Sequence, residues 1–279
     1  MPTRAQSART TIGTVVVTAF LAAAAGASSG PDSKAQFDAL LTDAWELDMR
    51  ESPLFATRTG DHRFDDRLPS MTMADLERRT AASRAQLARL QAIDRAALAP
   101  ADRVSYDMFG RGLQDDLARD AFRSWRVPIT SDSGFHTGIS RLAQEVPLAT
   151  VKDYENYIAR LRAVPAYFDQ HVAFMREGLR TGFTSPRITL EGYDATMRTH
   201  VVDSPEKSVF WKPFGTLPAG VPATEHERLR AAGRDAIATA VVPAYRSLLD
   251  FFTHEYGRAP ARRSGPRRPP TGRPITRGS

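Results

Sequence analysis

Apolar residues recur at helical spacing along most of the chain. From Ser33, the positions Phe37, Leu40, Leu41, Ala44 and Trp45 form one stripe behind the start signals Pro31-Asp32-Ser33, predicting an amphipathic helix that ends near Ser52-Pro53. A second helix is predicted from Thr72, whose side chain can cap while Asp75 occupies the first turn, with Leu76, Leu87, Leu90 and Ile93 as its apolar positions. A third follows Pro100, with Val104, Met108 and Leu117 expected to be buried. Thr150 and Asp153 open a helix carrying Tyr154, Tyr157, Ile158 and Leu161, and Pro165 opens the next with Phe168, Val172, Met175 and Leu179, so that the two are expected to form a helical hairpin. Thr224 and Glu227 have the spacing of a capping box ahead of a long helix through Leu229, Ile237, Val241, Leu248 and Phe252, kinked or broken at Pro243.

Strand signals are few. Arg187-Ile188-Thr189-Leu190 and Val201-Val202 read as short extended pieces, but neither alternates as a sheet strand does, and a β core is not expected. Residues 205–222 mix Pro and Gly with Phe210, Trp211 and Phe214, the pattern of an ordered loop packed by its rings. The fold class expected is mainly α, with about residues 34–256 as the helical body.

The two ends differ from this body. Arg4 and Arg9 precede an apolar run from Thr11 to Ala25 and the small-x-small pattern Ala25-Gly26-Ala27, the layout of a secretory signal peptide cleaved at Ala27. The run is shorter than the ~20 apolar residues that span a bilayer, so no membrane attachment is expected after cleavage. The mature protein is then expected to be exported, to the periplasm or beyond. Residues 257–279 hold seven arginines, five prolines and no acid, a composition that cannot bury a core and is expected to be disordered. It also matches out-of-frame translation of GC-rich DNA, and the segment is read as a frameshifted tail.

Charge follows the same division. The chain of 279 residues has a formal net charge of +6, but nine of its 38 basic residues lie in the two ends. The 29 that remain face 32 acids, which leaves the body at −3 and argues against a nucleic-acid-binding surface. The arginine-rich end also lacks the aromatics that stack on bases. With no cysteine, disulfides, Cys-ligated metals and thiol nucleophiles are excluded.

No histidine pair stands at i,i+4, and neither phosphate-binding glycine loops nor a Gly-x-Ser-x-Gly elbow occurs. His226-Glu227 and His254-Glu255 meet Arg230 and Arg258 where a second metal-binding His would stand, and read as solvated helix faces. Two polar loops and one turn remain as substrate-binding candidates. The run Gly60 to Arg67 presents Asp61, His62 and Arg63, or alternatively braces helices by ion pairs. The run Ser131 to Thr137 presents His136 beside Gly134, which permits close backbone approach, and Glu191-Gly192-Tyr193 presents Tyr193. Asp132, Ser133 and His136 are too close in sequence to be read as a triad.

Several blocks together resemble the bacterial family known as domain of unknown function 885. They are Ser52-Pro53-Leu54-Phe55-Ala56-Thr57 with Gly60 to Pro69, Asp102 to Asp107, Asp132 to Thr137, and Asp153-Tyr154 through Gly178 to Gly182 and Glu191-Gly192-Tyr193. The resemblance implies an exported, mostly helical protein of about twice this length, related to zinc metallopeptidases of the gluzincin type. Their metal motif, His-Glu-x-x-Pro-Gly-His-His, would lie beyond the region present here. On this reading the chain is the N-terminal, substrate-cleft-forming half of a zinc-metallopeptidase-like hydrolase. It lacks the metal site, has no catalytic residue, and is inactive alone, with zinc expected only in a full-length relative. The alternative is a periplasmic helical module that binds a peptide or small molecule.

Overall fold

The computed structural model describes residues 32–257, and the predicted signal peptide with its Ala27 cleavage site and residues 258–279 lie outside them. Eleven α-helices are joined by short 3-10 turns: α1 (Ser33–Glu51), α2 (Pro53–Arg58), α3 (Met73–Gln91), α4 (Pro100–Ala121), α5 (Phe135–Ile139), α6 (Leu142–Glu145), α7 (Val151–Thr181), α8 (Ala195–Arg198), α9 (Lys212–Gly215), α10 (His226–Ala236) and α11 (Val242–Phe251). Among the described residues the only β pairing is an isolated bridge between Ile129 and Gly134. The fold is mainly α, as the periodicity predicts. No helix among the described residues is long and apolar enough to cross a membrane.

Helices α1, α3 and α4 form a layer with its own small core of Phe37, Leu40, Leu90, Ile93 and Leu98. On α4 two of the three expected positions are wrong, since Val104 is 59% and Met108 70% exposed, while Leu117 is half-buried as expected. The buried stripe instead runs through Tyr106, Phe109, Gly110, Leu113 and Leu117, which also recur every three or four residues. It wins because two rings bury more apolar area than Val and Met, and because Gly110 lets Leu90 approach within contact distance.

The larger core is organised around α7, which packs against α10 and α11. The Thr72–Asp75 and Thr150–Asp153 capping boxes both form. The hairpin expected at Pro165 does not, because α7 continues through the proline for 31 residues. Tyr154, Tyr157, Ile158, Leu161, Val164, Phe168, Val172 and Met175 keep one unbroken phase across Pro165, so burial of the whole stripe outweighs the single lost backbone hydrogen bond. The helix ends at Gly182 (φ 72°), where Phe183 N–H bonds to Gly178 O at 2.9 Å in the manner of a Schellman cap.

Other expectations need correction. Thr224 does not cap: a 3-10 turn over Ala223–Glu225 leads straight into α10, with no side-chain cap. Pro243 does not break the helix either. A π turn at Ile237–Val241 joins α10 to α11 and widens the spiral just ahead of the proline, where a regular helix would drive its ring into a carbonyl. A second π turn, Phe252–Tyr256, follows α11. Arg187–Leu190 is a 3-10 turn rather than an extended piece. The 205–222 segment does pack by its rings, with Phe210 and Phe214 buried and Trp211 stacked on Phe214 at 5.2 Å.

One buried guanidinium ties the chain together. Arg160 of α7 is fully buried and donates from Nε to Arg67 O (3.0 Å) and from Nη2 to Thr57 Oγ1 (2.6 Å), Pro53 O (3.2 Å) and Phe64 O (3.2 Å), with Asp65 at 3.6 Å. Replacing it with methionine strands these acceptors and a buried carboxylate. Arg160→Met is therefore expected to lower unfolding stability by about 3–5 kcal/mol in urea titrations. Gly233→Ala, whose Cβ would lie 2.4 Å from the Phe214 ring, is expected to cost about 1–3 kcal/mol in the same assay.

Candidate functional site

The loop holding Asp61, His62 and Arg63 is built as a brace. Asp61 caps the short turn His62–Phe64 by accepting from Arg63 N (3.1 Å), and the Arg63 guanidinium reaches Glu46 on α1 at 2.8 Å. His62 Nδ1 lies 2.8 Å from Asp65, the carboxylate beside Arg160. Each polar side chain of this trio is thus engaged with a neighbour that fixes the loop to α1 and α7.

His136 and Tyr193 come together, 57 residues apart in sequence, with ring centroids 5.6 Å apart and planes at 89°. The Thr196 hydroxyl donates to Tyr193 O (2.6 Å), so it accepts from His136 Nε2–H (2.9 Å), which leaves Nδ1 as the lone-pair nitrogen. His136 Nδ1 and the Tyr193 hydroxyl are both buried without a hydrogen-bond partner, and both stand within about 3 Å of where a Cβ on Gly134 would sit. Gly134 is needed for this close approach. Ser133 bonds to Thr130 (2.9 Å) and His136 to Thr196, so Asp132, Ser133 and His136 form no triad.

Beside this pair lies a ring-lined interior. His171 stacks on Phe135 (4.2 Å, 10°) and meets Tyr167 edge-on, and neither of its nitrogens has a partner. His200 packs on Tyr245 at 4.5 Å. Burial lowers all three imidazoles, His136 to about 4 with a smaller push from His200, His171 to about 3 with a smaller push from Arg79, and His200 by burial alone. Burial also raises the Tyr193 hydroxyl, helped by Asp132. These groups are neutral at pH 7 and lie packed among rings.

The open site is elsewhere. A hollow of about 620 Å³ lies between α1, α3 and α4, lined among others by Asp48, Glu51, Arg79, Phe109, Asp116 and Trp125. A second, of about 590 Å³, lies between the start of α3, the end of α4 and α7, lined by Met71, Met73, Glu77, Gln170, Phe174 and Glu177. Asp120 and Trp125 line both, so the two hollows adjoin across these side chains and together are termed the groove. Arg123 makes the turn that puts Trp125 there. Its left-handed conformation (φ 52°, ψ 45°) redirects the chain after α4, and Trp125 then packs on Phe174 at 5.0 Å. The Asp48 carboxyl is raised by partial desolvation in the groove and, secondarily, by Asp116.

None of these groove residues stood out in the sequence, since each occupies an ordinary polar or apolar helix position. The available signal was the pair of rings Phe122 and Trp125 a few residues beyond Leu117.

The family model described as "Bacterial protein of unknown function (DUF885)" matches residues 53–275. The chain belongs to this family. The match runs on into the arginine-rich end, past Tyr256, where the resemblance of the sequence blocks ends. No curated protein matches. Among solved structures, the crystal structure of the "putative lipoprotein" from Colwellia psychrerythraea superposes with a TM-score of 0.67 at 16% identity, over 78% of this chain and 40% of that one. That likeness concerns the fold, and the chain spans well under half the length of this neighbour. The zinc that the family resemblance implies finds no ligand set here: among the described residues no three His, Asp or Glu side chains stand together as metal ligands. No step is therefore routed through a metal.

The buried imidazoles carry a pH dependence. The unfolded chain takes up protons on histidine below about pH 6.5, which the folded state refuses until about 4 at His136 and about 3 at His171. Stability present above pH 6.5 is therefore expected to fall as pH drops toward 4, by up to about 1.4 kcal/mol per pH unit for each such histidine. His171→Phe is expected to make the decline of the urea midpoint between pH 6.5 and 4.5 shallower. An unchanged slope would mean that His171 protonates freely in the folded protein.

Proposed function

We propose that residues 33–257 build the wall of a ligand cleft in an exported protein and bind a peptide or similarly small amphiphilic molecule. The supporting observation is the groove shared by the two hollows, where Trp125, Phe109, Phe174 and Met73 offer apolar contact while Asp48, Asp120 and Gln170 offer polar anchors. Its chemistry is that of binding. The hydroxyls of Ser52, Thr80, Ser83 and Ser124 line it without an imidazole among the lining residues to take their protons.

Export rests on the signal-peptide pattern of residues 1–27, and the description of the fold neighbour as a lipoprotein is compatible with it. The neighbour's greater length favours a more specific form of the same reading. This wall would be the substrate-binding half of a larger zinc-metallopeptidase-like hydrolase, with the bond-breaking groups on a part of the fold that has no counterpart in residues 33–257. In that form the segment alone binds and does not hydrolyse.

Calorimetric titration of the full chain with a panel of tri- and tetrapeptides is expected to give saturable binding for at least one member. Trp125→Ala is expected to weaken that binding about tenfold or more, as removal of a central aromatic anchor does, with little change in Tm. Absence of saturable binding across the panel at millimolar peptide, or unchanged affinity in Trp125→Ala, would overturn the proposal.

A further inference from the structure

The groove has a charge pattern that its apolar floor does not require. Asp48, Glu51 and Asp116 line the larger hollow, Glu77 and Glu177 the smaller, and Asp120 both, against only Arg79, Arg119 and Arg123. Glu51 is paired with Arg78, Asp116 with Arg119, and Glu177 with Arg180. Asp48, Glu77 and Asp120 make no ion pair among the described residues, in a protein whose other surface carboxylates are largely paired.

The described residues end against α7, the helix that on a neighbouring face lines the smaller hollow. Glu255, two residues before Gly257, holds Arg176 of α7 at 2.9 Å, and the next residue of that helix, Glu177, lines the smaller hollow. Beyond Gly257 the sequence continues with Arg258, Arg262, Arg263, Arg267, Arg268, Arg273 and Arg277 and with no acid, and most of this stretch lies inside the family match. Its 22 residues reach up to about 70 Å when extended, whereas the part of α4 that lines the groove, Met108 to Asp120, is only about 18 Å long. Reach is therefore ample, and tethering gives the segment a high effective concentration at the groove.

We propose that segment 258–279 docks along the acidic groove of its own chain, with guanidiniums against Asp48, Glu77 and Asp120 and arginine stems over Trp125 and Phe109. Arginine suits both halves of such a surface, since it pairs with carboxylates and lies flat on aromatic rings. Five prolines in the last 23 residues reduce the conformational entropy to be lost on docking. The contact makes the groove self-covered, and any external ligand competes with the chain's own end. The proposal stands whether or not such a ligand exists.

The absence of cysteine gives a clean test in the full chain. Two double variants are compared under mild oxidation at low micromolar concentration: Ser83→Cys with Ser264→Cys, which places one thiol in the groove, and Ser247→Cys with Ser264→Cys, which places it on the exposed side of α11. Ser247 is much nearer to Ser264 in sequence, so an undocked tail favours the second pair. Docking is expected to make the first pair close about tenfold faster within one chain. The preference should disappear in 1 M salt, where the Debye length is about 3 Å, and in the Asp48→Asn, Glu77→Gln, Asp120→Asn background. Equal rates, a preference that survives both salt and neutralisation, or cross-links formed mainly between chains would each overturn the proposal.

Discussion

Burying a guanidinium fixes more of this molecule than any single apolar contact. A charge taken out of water must be surrounded by acceptors, and Arg160 finds them only if the chain from Pro53 to Arg67 folds around it and presents three carbonyls, a hydroxyl and a carboxylate. That requirement pins α2 and the loop after it to the middle of α7. The groove inherits its shape from this tie. Glu51 and Ser52 stand just before the pinned segment, and Met71, Thr72 and Met73 just after it, and both sets line the hollows. The polar loop that looked like a binding site in sequence is thus the foundation on which the open site rests.

Two kinds of polar surroundings sit within a short distance along α7. On its buried stripe, His171 is enclosed by rings and held neutral. On the neighbouring face, Gln170 and Glu177 are half-buried and line the smaller hollow above the almost fully buried ring of Phe174. The same helix therefore carries a dry interior, where a proton is refused, and a wet wall, where charge is available. Trp125 lines the groove and rests on Phe174, whose ring in turn meets His171 edge-on at 6.2 Å.

The helical class, the capping boxes at Thr72 and Thr150, and most buried positions on α1 and α7 were legible because periodicity and local hydrogen bonding are short-range properties. What failed were choices that depend on distant partners. Which of two stripes on α4 faces inward was decided by Leu90, and whether Pro165 ends a helix was decided by the continuous surface that α10 and α11 offer to α7. The pairing of His136 with Tyr193 was half visible, since both were singled out, but their meeting through Thr196 needed the fold. The groove was not legible at all. Asp48, Glu77 and Asp120 come from different stretches of sequence, and nothing local distinguishes a carboxylate on a groove wall from one on an ordinary solvated face.

The π turn ahead of Pro243 bears on how this helix tolerates change in length. A π turn holds one residue more than the α-helical path between the same two points, so Ile237–Val241 behaves as an insertion that the helix has absorbed. Removing one residue there would restore the regular ladder and leave the residues downstream on their present faces, because the turn joins the same two points with one residue more. Tyr245, Leu248, Phe251 and Phe252, all buried now, would stay against the core, but Pro243 would then sit in a regular helix with its ring against a carbonyl. The extra residue is therefore held by the proline that follows it, and in homologous chains a deletion in this turn would have to be matched by replacement of Pro243.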